Sequence, residues 1–124
     1  MESVMLDTSV WIEYLKTGIS GVEELLRNEE TTVLTHQMIL GELLLNNRIK
    51  NEKVFVSLKQ LLQAPTASQV EYERFIKENS IPGCGIGYVD TNILASCKKH
   101  GASLWTLDKK LNKVALRLGC AWQH

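Results

Sequence analysis

The sequence predicts an α/β domain in which a parallel sheet is covered by helices on both faces. Two observations carry that prediction. Strand-length apolar runs alternate with segments of helical spacing along the chain, as in βαβ units whose parallel strands need crossover helices. The 124 residues, 44% hydrophobic and 23% charged, fit one soluble domain, 1–124, with room for a real core.

The elements follow in order. Ser3–Leu6 is a short apolar strand, and a helix over roughly 9–16 follows at once, with Thr8 or Ser9 placed to cap it. A helix is expected at 21–28 and a second strand at Thr32–Leu34. Helices then cover about 37–48, 53–63 and 68–79. The stretch SIPGCGIG, 80–87, reads as a loop because of its Pro and three Gly. It opens into YVDTNILASCKKHG, a helix with apolar residues at 89, 93, 94 and 97 and Gly101 as its stop. Ala102–Leu107 is a strand. Lys109–Leu118 is a helix that turns Leu111, Val114, Ala115 and Leu118 inward, and Gly119 ends it. Cys120–Trp122 completes the series as a last short strand.

Composition narrows the function classes. Net charge is zero, yet residues 1–90 hold thirteen acids against eight bases, and residues 91–124 hold one acid against six. The chain is therefore acidic first and basic last. Cys84, Cys97 and Cys120 are an odd number with no CxxC, which suits reduced thiols in a cytoplasmic protein. The opening MESVMLDTSVWIEYL has no basic leader, and no apolar run approaches membrane length, so no membrane partner is expected.

The chemistry lies in the acids. Only three Asp occur, against eleven Glu. Asp7 follows Val4-Met5-Leu6 and Asp108 follows Leu104-Trp105-Thr106-Leu107. Both stand at carboxyl ends of strands, where parallel sheets place their ligand sites. Asp90 falls in the first turn of the helix after the Gly-rich loop. Each has an ordinary explanation too, since Asp caps helices and complements their dipoles. Glu42 does not. It sits inside MILGELLL, 38–45, where helical spacing sets it on a stripe with Met38, Ile39, Leu45 and Ile49. An unpartnered carboxylate buried there would cost several kcal/mol, and a buried Lys or Arg partner is the main competing account.

If the four acids converge, they raise one another's pKa unless a cation holds them. An all-oxygen set suits Mg²⁺ or Mn²⁺. Thr8, Ser9, Asn92 and Thr106 stand beside the acids and suit the orientation of ligands or waters, although such residues are also common caps and turn formers. Lys98, Lys99, Lys109, Lys110, Lys113 and Arg117 are placed to meet phosphates, although a helical charge run is usually a solvated face. Trp11, Tyr14 and Trp105 are candidates for base stacking, with core packing the stronger expectation for both Trp.

The strings LDTSVWIEYL, HQMILGELL and GIGYVDTNILASCKKHGASLWTLDKKL, in that order, resemble the PIN domain and within it the VapC toxins of toxin–antitoxin pairs. The resemblance spans nearly the whole chain. It implies a three-layer α/β/α sandwich with a central, mainly parallel sheet, and a metal-dependent ribonuclease leaving 5′-phosphate and 3′-hydroxyl ends, commonly on tRNA or rRNA. The family's acidic quartet falls on Asp7, Glu42, Asp90 and Asp108. Asp7 and Asp90 match the positions that hold the metal most directly, and Thr106 matches the hydroxyl of Thr-x-Asp. Many relatives carry a further Asp where this chain has Lys110, which argues for one tightly bound ion rather than two. A VapB-like antitoxin and a homodimer are the implied protein partners, with Trp11, Leu15, Leu44, Val54 and Phe55 as candidate contacts.

Three rivals remain. A PIN nuclease of RNA maturation shares the chemistry, but the compact length favours the toxin. A phosphoacceptor receiver domain wants paired acids after its first strand, where this chain has Asp7 followed by Thr8. A non-catalytic PIN-like binding module is disfavoured because all four acids are present.

Overall fold

The structure, a computed structural model, describes residues 2–46 and 52–123. They alternate as β1 (Glu2–Leu6), α1 (Thr8–Thr17), α2 (Val22–Arg27), β2 (Thr31–Thr35), α3 (Gln37–Leu45), α4 (Glu52–Lys59), β3 (Leu62–Gln63), α5 (Gln69–Glu78), α6 (Tyr88–His100), β4 (Ser103–Trp105) and α7 (Lys109–Arg117). The four strands form one parallel sheet in the order β3-β2-β1-β4. Helices flank it in the three-layer α/β/α arrangement. The chain works outward from β1 through β2 to β3, then returns to place β4 on the other side of β1. The order therefore reverses between β1 and β4, and ligands of open parallel sheets bind at the carboxyl ends beside such a reversal.

Burial follows from this topology. Val4, Met5 and Leu6 of the interior strand β1 are fully buried, as a parallel strand covered on both faces requires. The α6 helix carries seven consecutive buried residues, Thr91–Cys97, so it is an interior helix rather than a surface one. By contrast α7 is amphipathic, with Leu111, Val114 and Ala115 buried and Lys109, Lys110 and Lys113 exposed.

Several expectations shift. The helix expected over 53–63 ends at Lys59, and Leu62–Gln63 forms the edge strand β3 against Leu34 and Thr35. Two residues are too few to show a strand's alternation, and Leu58, Leu61 and Leu62 prolong the helical spacing. The strand expected over 102–107 shortens to Ser103–Trp105 because side chains take the next backbone donors. Leu107 N–H donates to Ser9 Oγ (3.0 Å) and Asp108 N–H to Thr106 Oγ1 (3.1 Å). The last strand reduces to a single parallel bridge, Leu104 to Ala121. Of the helix expected over 37–48, residues 37–45 are helical and Asn46 is the C-cap; residues 47 and 48, and Ile49, lie outside the described residues. The cap of α1 is Asp7 itself rather than Thr8 or Ser9.

Candidate active site

Register brings the first pair together. Leu6 of β1 stands opposite Trp105 of β4, so Asp7 and Thr106 leave the sheet side by side, and Asp7 N–H donates to the Trp105 carbonyl (3.1 Å). Asp7 is buried, at 5% exposure. Its Oδ1 accepts from Val10 N–H (3.3 Å) and from the Ser9 hydroxyl, and its Oδ2 from Thr106 Oγ1 (2.5 Å). Burial pushes the Asp7 pKa up, and these hydrogen bonds oppose the shift. Ser9 and Thr106 thus fix the orientation of the buried carboxylate.

The other acids approach from separate elements. Asp108 caps α7 by accepting from Leu111 N–H (3.0 Å) and is exposed. Asp90 sits in the first turn of α6, half-buried. Its pKa is pushed up to about 6, first by burial and then by the charges of Asp7, Asp108 and Glu42. Three acids far apart in the chain therefore act on one carboxyl group at the reversal between β1 and β4.

Glu42 needs correction. It does not lie in the middle of a buried stripe. The buried residues of α3 are Ile39, Leu40 and Leu43, while Leu44 and Leu45 are 66% and 84% exposed. Glu42 is at the margin of that buried face, half-exposed, and Thr8 Oγ1 donates to its Oε1 (2.5 Å). The helix is apolar almost all round, so spacing alone misassigned its inner face. Among the described residues no Lys or Arg forms an ion pair with Glu42.

The remaining polar residues divide. Thr8, Ser9 and Thr106 contact the acids, whereas Asn92 is buried and donates from Nδ2 to the Tyr88 carbonyl within α6 (3.0 Å). Lys98 donates to the Leu118 carbonyl (2.7 Å), and Lys99 pairs with Glu71 of α5, so both nitrogens are taken up within the fold. Lys109, Lys110 and Lys113 are exposed. Trp11 and Trp105 are core residues, 2% and 4% exposed, which removes Trp11 from the candidate partner contacts and both from base stacking. Tyr14 is half-exposed and donates to Glu23 (3.2 Å).

One buried group escaped the sequence reading. His36, fully buried, caps α3 by accepting from Met38 N–H at Nδ1 (3.0 Å). Its Nε2 then donates to Ser96 Oγ of α6 (3.2 Å), and Ser96 donates to the Pro65 carbonyl (3.0 Å). This chain ties the helix carrying Glu42 to the helix carrying Asp90. A His between a strand and a helix, at the cap position, was the available signal.

Could these residues hold an ion? The donors are all oxygen, as a hard divalent cation prefers, and three acids press on Asp90 with no cation among the described residues set against them. The chemistry fits. Asp7 and Glu42 are nevertheless held by hydroxyls and Asp108 by the Leu111 N–H, and among the described residues no three His, Cys, Asp or Glu side chains form a closed ligand group.

A parallel α/β/α sandwich with an acidic edge at its strand reversal defines the class, and the chain matches the PIN domain over residues 4–116, so it belongs to the PIN domain family. Within that family it is similar to Ribonuclease VapC32 of Mycobacterium tuberculosis, 34% identical over 119 residues that cover 95% of this chain and 94% of the relative. Solved structures share the fold. VapBC-1 from nontypeable Haemophilus influenzae matches with a TM-score of 0.73 at 18% identity, covering 98% of this chain and 96% of that one. VapC20 of Mycobacterium tuberculosis, described as a sarcin-ricin loop cleaving toxin, matches with a TM-score of 0.63 at 19% identity, covering 89% and 93%.

Proposed function

We propose that this chain is a metal-dependent endoribonuclease, the toxin of a VapBC-type toxin–antitoxin pair, hydrolysing phosphodiester bonds in structured RNA such as tRNA or rRNA. One observation carries the reading. Asp90, half-buried at the strand reversal, has its carboxyl pushed up to about 6, first by burial and then by the charges of Asp7, Asp108 and Glu42. Such crowding works against the fold, and a cation relieves it. Likeness over nearly the full length to a protein named a ribonuclease supports the same activity.

Each residue then has a part. Asp7 and Asp90 would hold Mg²⁺ or Mn²⁺ most directly, with Glu42 and Asp108 completing the set. When bound, the ion supplies Lewis-acid stabilisation of phosphate charge and lowers the pKa of the attacking water. Ser9 and Thr106 keep the Asp7 carboxylate aimed by donating to its two oxygens, and Thr8 does the same for Glu42. Water adds at phosphorus as the 3′ oxygen leaves, giving 5′-phosphate and 3′-hydroxyl ends.

A VapB-like antitoxin and a second copy of the chain are the protein partners in this reading. Support comes from structural relatives that are VapBC pairs and from exposed apolar residues clustered in sequence on α3, α4 and β3, namely Leu44, Leu45, Val56 and Leu62. Among the described residues no helix is long and apolar enough to cross a membrane, and a cytoplasmic site of action accords with an RNA target.

The test is a map of new 5′ ends in RNA from cells producing wild type or Asp7→Asn, repeated in vitro with Mg²⁺, Mn²⁺ or EDTA. Discrete cuts, lost in the variant and in EDTA, are expected. Identical maps for the two proteins would refute the nuclease. A second reading, a PIN-like binding module without catalysis, stands if the protein binds RNA but leaves it whole in both metals.

A further inference from the structure

Beside the acidic edge lies a groove of about 490 Å³ between the Gly-rich loop and α7, and its charged lining is Lys110, Lys113 and Arg117. These three share one helical face at spacings of three and four residues. They run away from Asp108, the cap of the same helix, over about 10 Å. Arg117 fastens the opposite wall, with Nη2 near the Ser80 carbonyl (3.5 Å) and Cys84 Sγ (3.6 Å). Lys110 lies across Gly85, where φ is +80° and an added Cβ would meet Lys110 Cδ at 3.2 Å. Glycine there lets the lysine stem lie flat on the loop backbone. Among the described residues neither Lys110 nor Lys113 has a hydrogen-bond or ion-pair partner.

We propose that this groove is a track for the phosphate backbone of an RNA strand leading away from the acidic edge, gripped by Lys110 and Lys113. The proposal rests on the reading of the chain as a ribonuclease. Two unpaired ammonium groups, exposed and aligned on one face, offer point charges to phosphates and no base-reading amides, so the grip is on the backbone and independent of sequence. The face spans about three nucleotides of a stacked strand at ~3.4 Å each. The groove also resolves an electrostatic difficulty: an acidic edge alone would repel RNA, and these cations lie one helical turn or so from it.

The experiment is fluorescence anisotropy of a labelled twelve-nucleotide oligouridylate in EDTA, so that binding is read without cleavage, at several salt concentrations. Lys110→Ala/Lys113→Ala is compared with wild type, with Lys110→Ala and with Lys77→Ala on α5, which matches the single Lys110→Ala variant in charge. The double variant should raise Kd about tenfold and flatten the slope of log K against log salt by about 1.4, roughly 0.7 for each phosphate no longer neutralised. Lys110→Glu alone should raise Kd further than Lys110→Ala, and Lys77→Ala should match wild type. Wild-type affinity and slope in the double variant, an equal loss in Lys77→Ala, or no binding by the wild type would each overturn the groove. Cleavage of cellular RNA by the wild type separates such a result from failure of the ribonuclease reading itself.

Discussion

A single carboxylate shows how structure and chemistry share residues in this molecule. Asp7 caps α1 and is also the most buried of the four acids, so its charge and its hydrogen bonds have separate effects. Asp7→Asn keeps an accepting oxygen for Val10 N–H while removing the charge. Cleavage should fall at least ~100-fold with a stability change under ~1 kcal/mol in urea. Asp7→Ala, which also loses the cap, should lose ~1–2 kcal/mol as well. Asp90 behaves in the opposite sense. Its carboxyl titrates near 6 in the fold against 3.8 ordinarily, so the folded state holds more protons in between and stability falls as pH rises through that window. The penalty is complete above about 6 and gone below the ordinary value. Asp90→Asn should therefore stabilise the protein at pH 7 by ~1–2 kcal/mol, after allowance for solvent screening at a half-buried site, and by nothing near pH ~3.5. Urea melts at the two pH values decide it, and equal gains at both would disprove the crowding. These four acids were legible in the sequence because three of them stand at element junctions, where the neighbouring strings fix the strand end and the helix start. Glu42 was legible as anomalous, but not in its true position, because an almost wholly apolar helix has no clear inner face.

Helices α3 and α6 bring Glu42 and Asp90 to the edge, and His36 joins them. Burial lowers the His36 pKa from its ordinary 6.5, so folded protein binds fewer protons there than the unfolded chain. Its stability contribution is fully present above about 6.5 and is lost as pH falls below that value. Protonation at Nδ1 would also cancel the cap to Met38. His36→Ala should cost ~2–3 kcal/mol at pH ~7.5 through the missing cap and the cavity left behind, and should remove that part of the acid loss that begins near pH ~6.5. Thr35, next to it, is different: its hydroxyl is buried with no hydrogen-bond partner among the described residues. Replacing it with the isosteric Val removes an unsatisfied group, so Thr35→Val should be neutral or raise stability by up to ~1 kcal/mol; a loss above that would mean the hydroxyl has a partner in solution. Neither residue announced itself in sequence, since a buried hydroxyl in a strand and a capping imidazole look like any Thr and His. Strand β3 was hidden for a related reason. Two residues at a sheet edge are defined by their partners, Leu34 and Thr35, and partners so distant along the chain leave no local pattern.

At the scale of the whole molecule the charge is sorted. The acidic part of the chain, residues 1–90, supplies three of the four edge acids, and the basic remainder supplies the lysines of α7. Topology joins the two because β4, which leads into Asp108 and α7, is placed directly beside β1. The fold thus sets like charges against Asp90, and if a divalent cation binds there as proposed, the linkage can be measured without RNA. A ligand that binds the folded state alone adds RT ln(1 + [L]/Kd), about 2.7 kcal/mol at roughly one hundred times Kd. For a domain of this size that corresponds to roughly 8–13 °C in melting temperature. Raising Mn²⁺ or Mg²⁺ into the millimolar range should therefore raise Tm by several degrees, with EDTA reversing it and Ca²⁺ serving as a comparison for ion size. Asp90→Asn should begin at a higher Tm than wild type in EDTA yet gain little from metal, so the two melting curves should converge or cross as metal is added. Parallel rises in both proteins would place the ion elsewhere. A flat response in the wild type would leave the four acids as caps and surface charges, and the nuclease chemistry would have no centre.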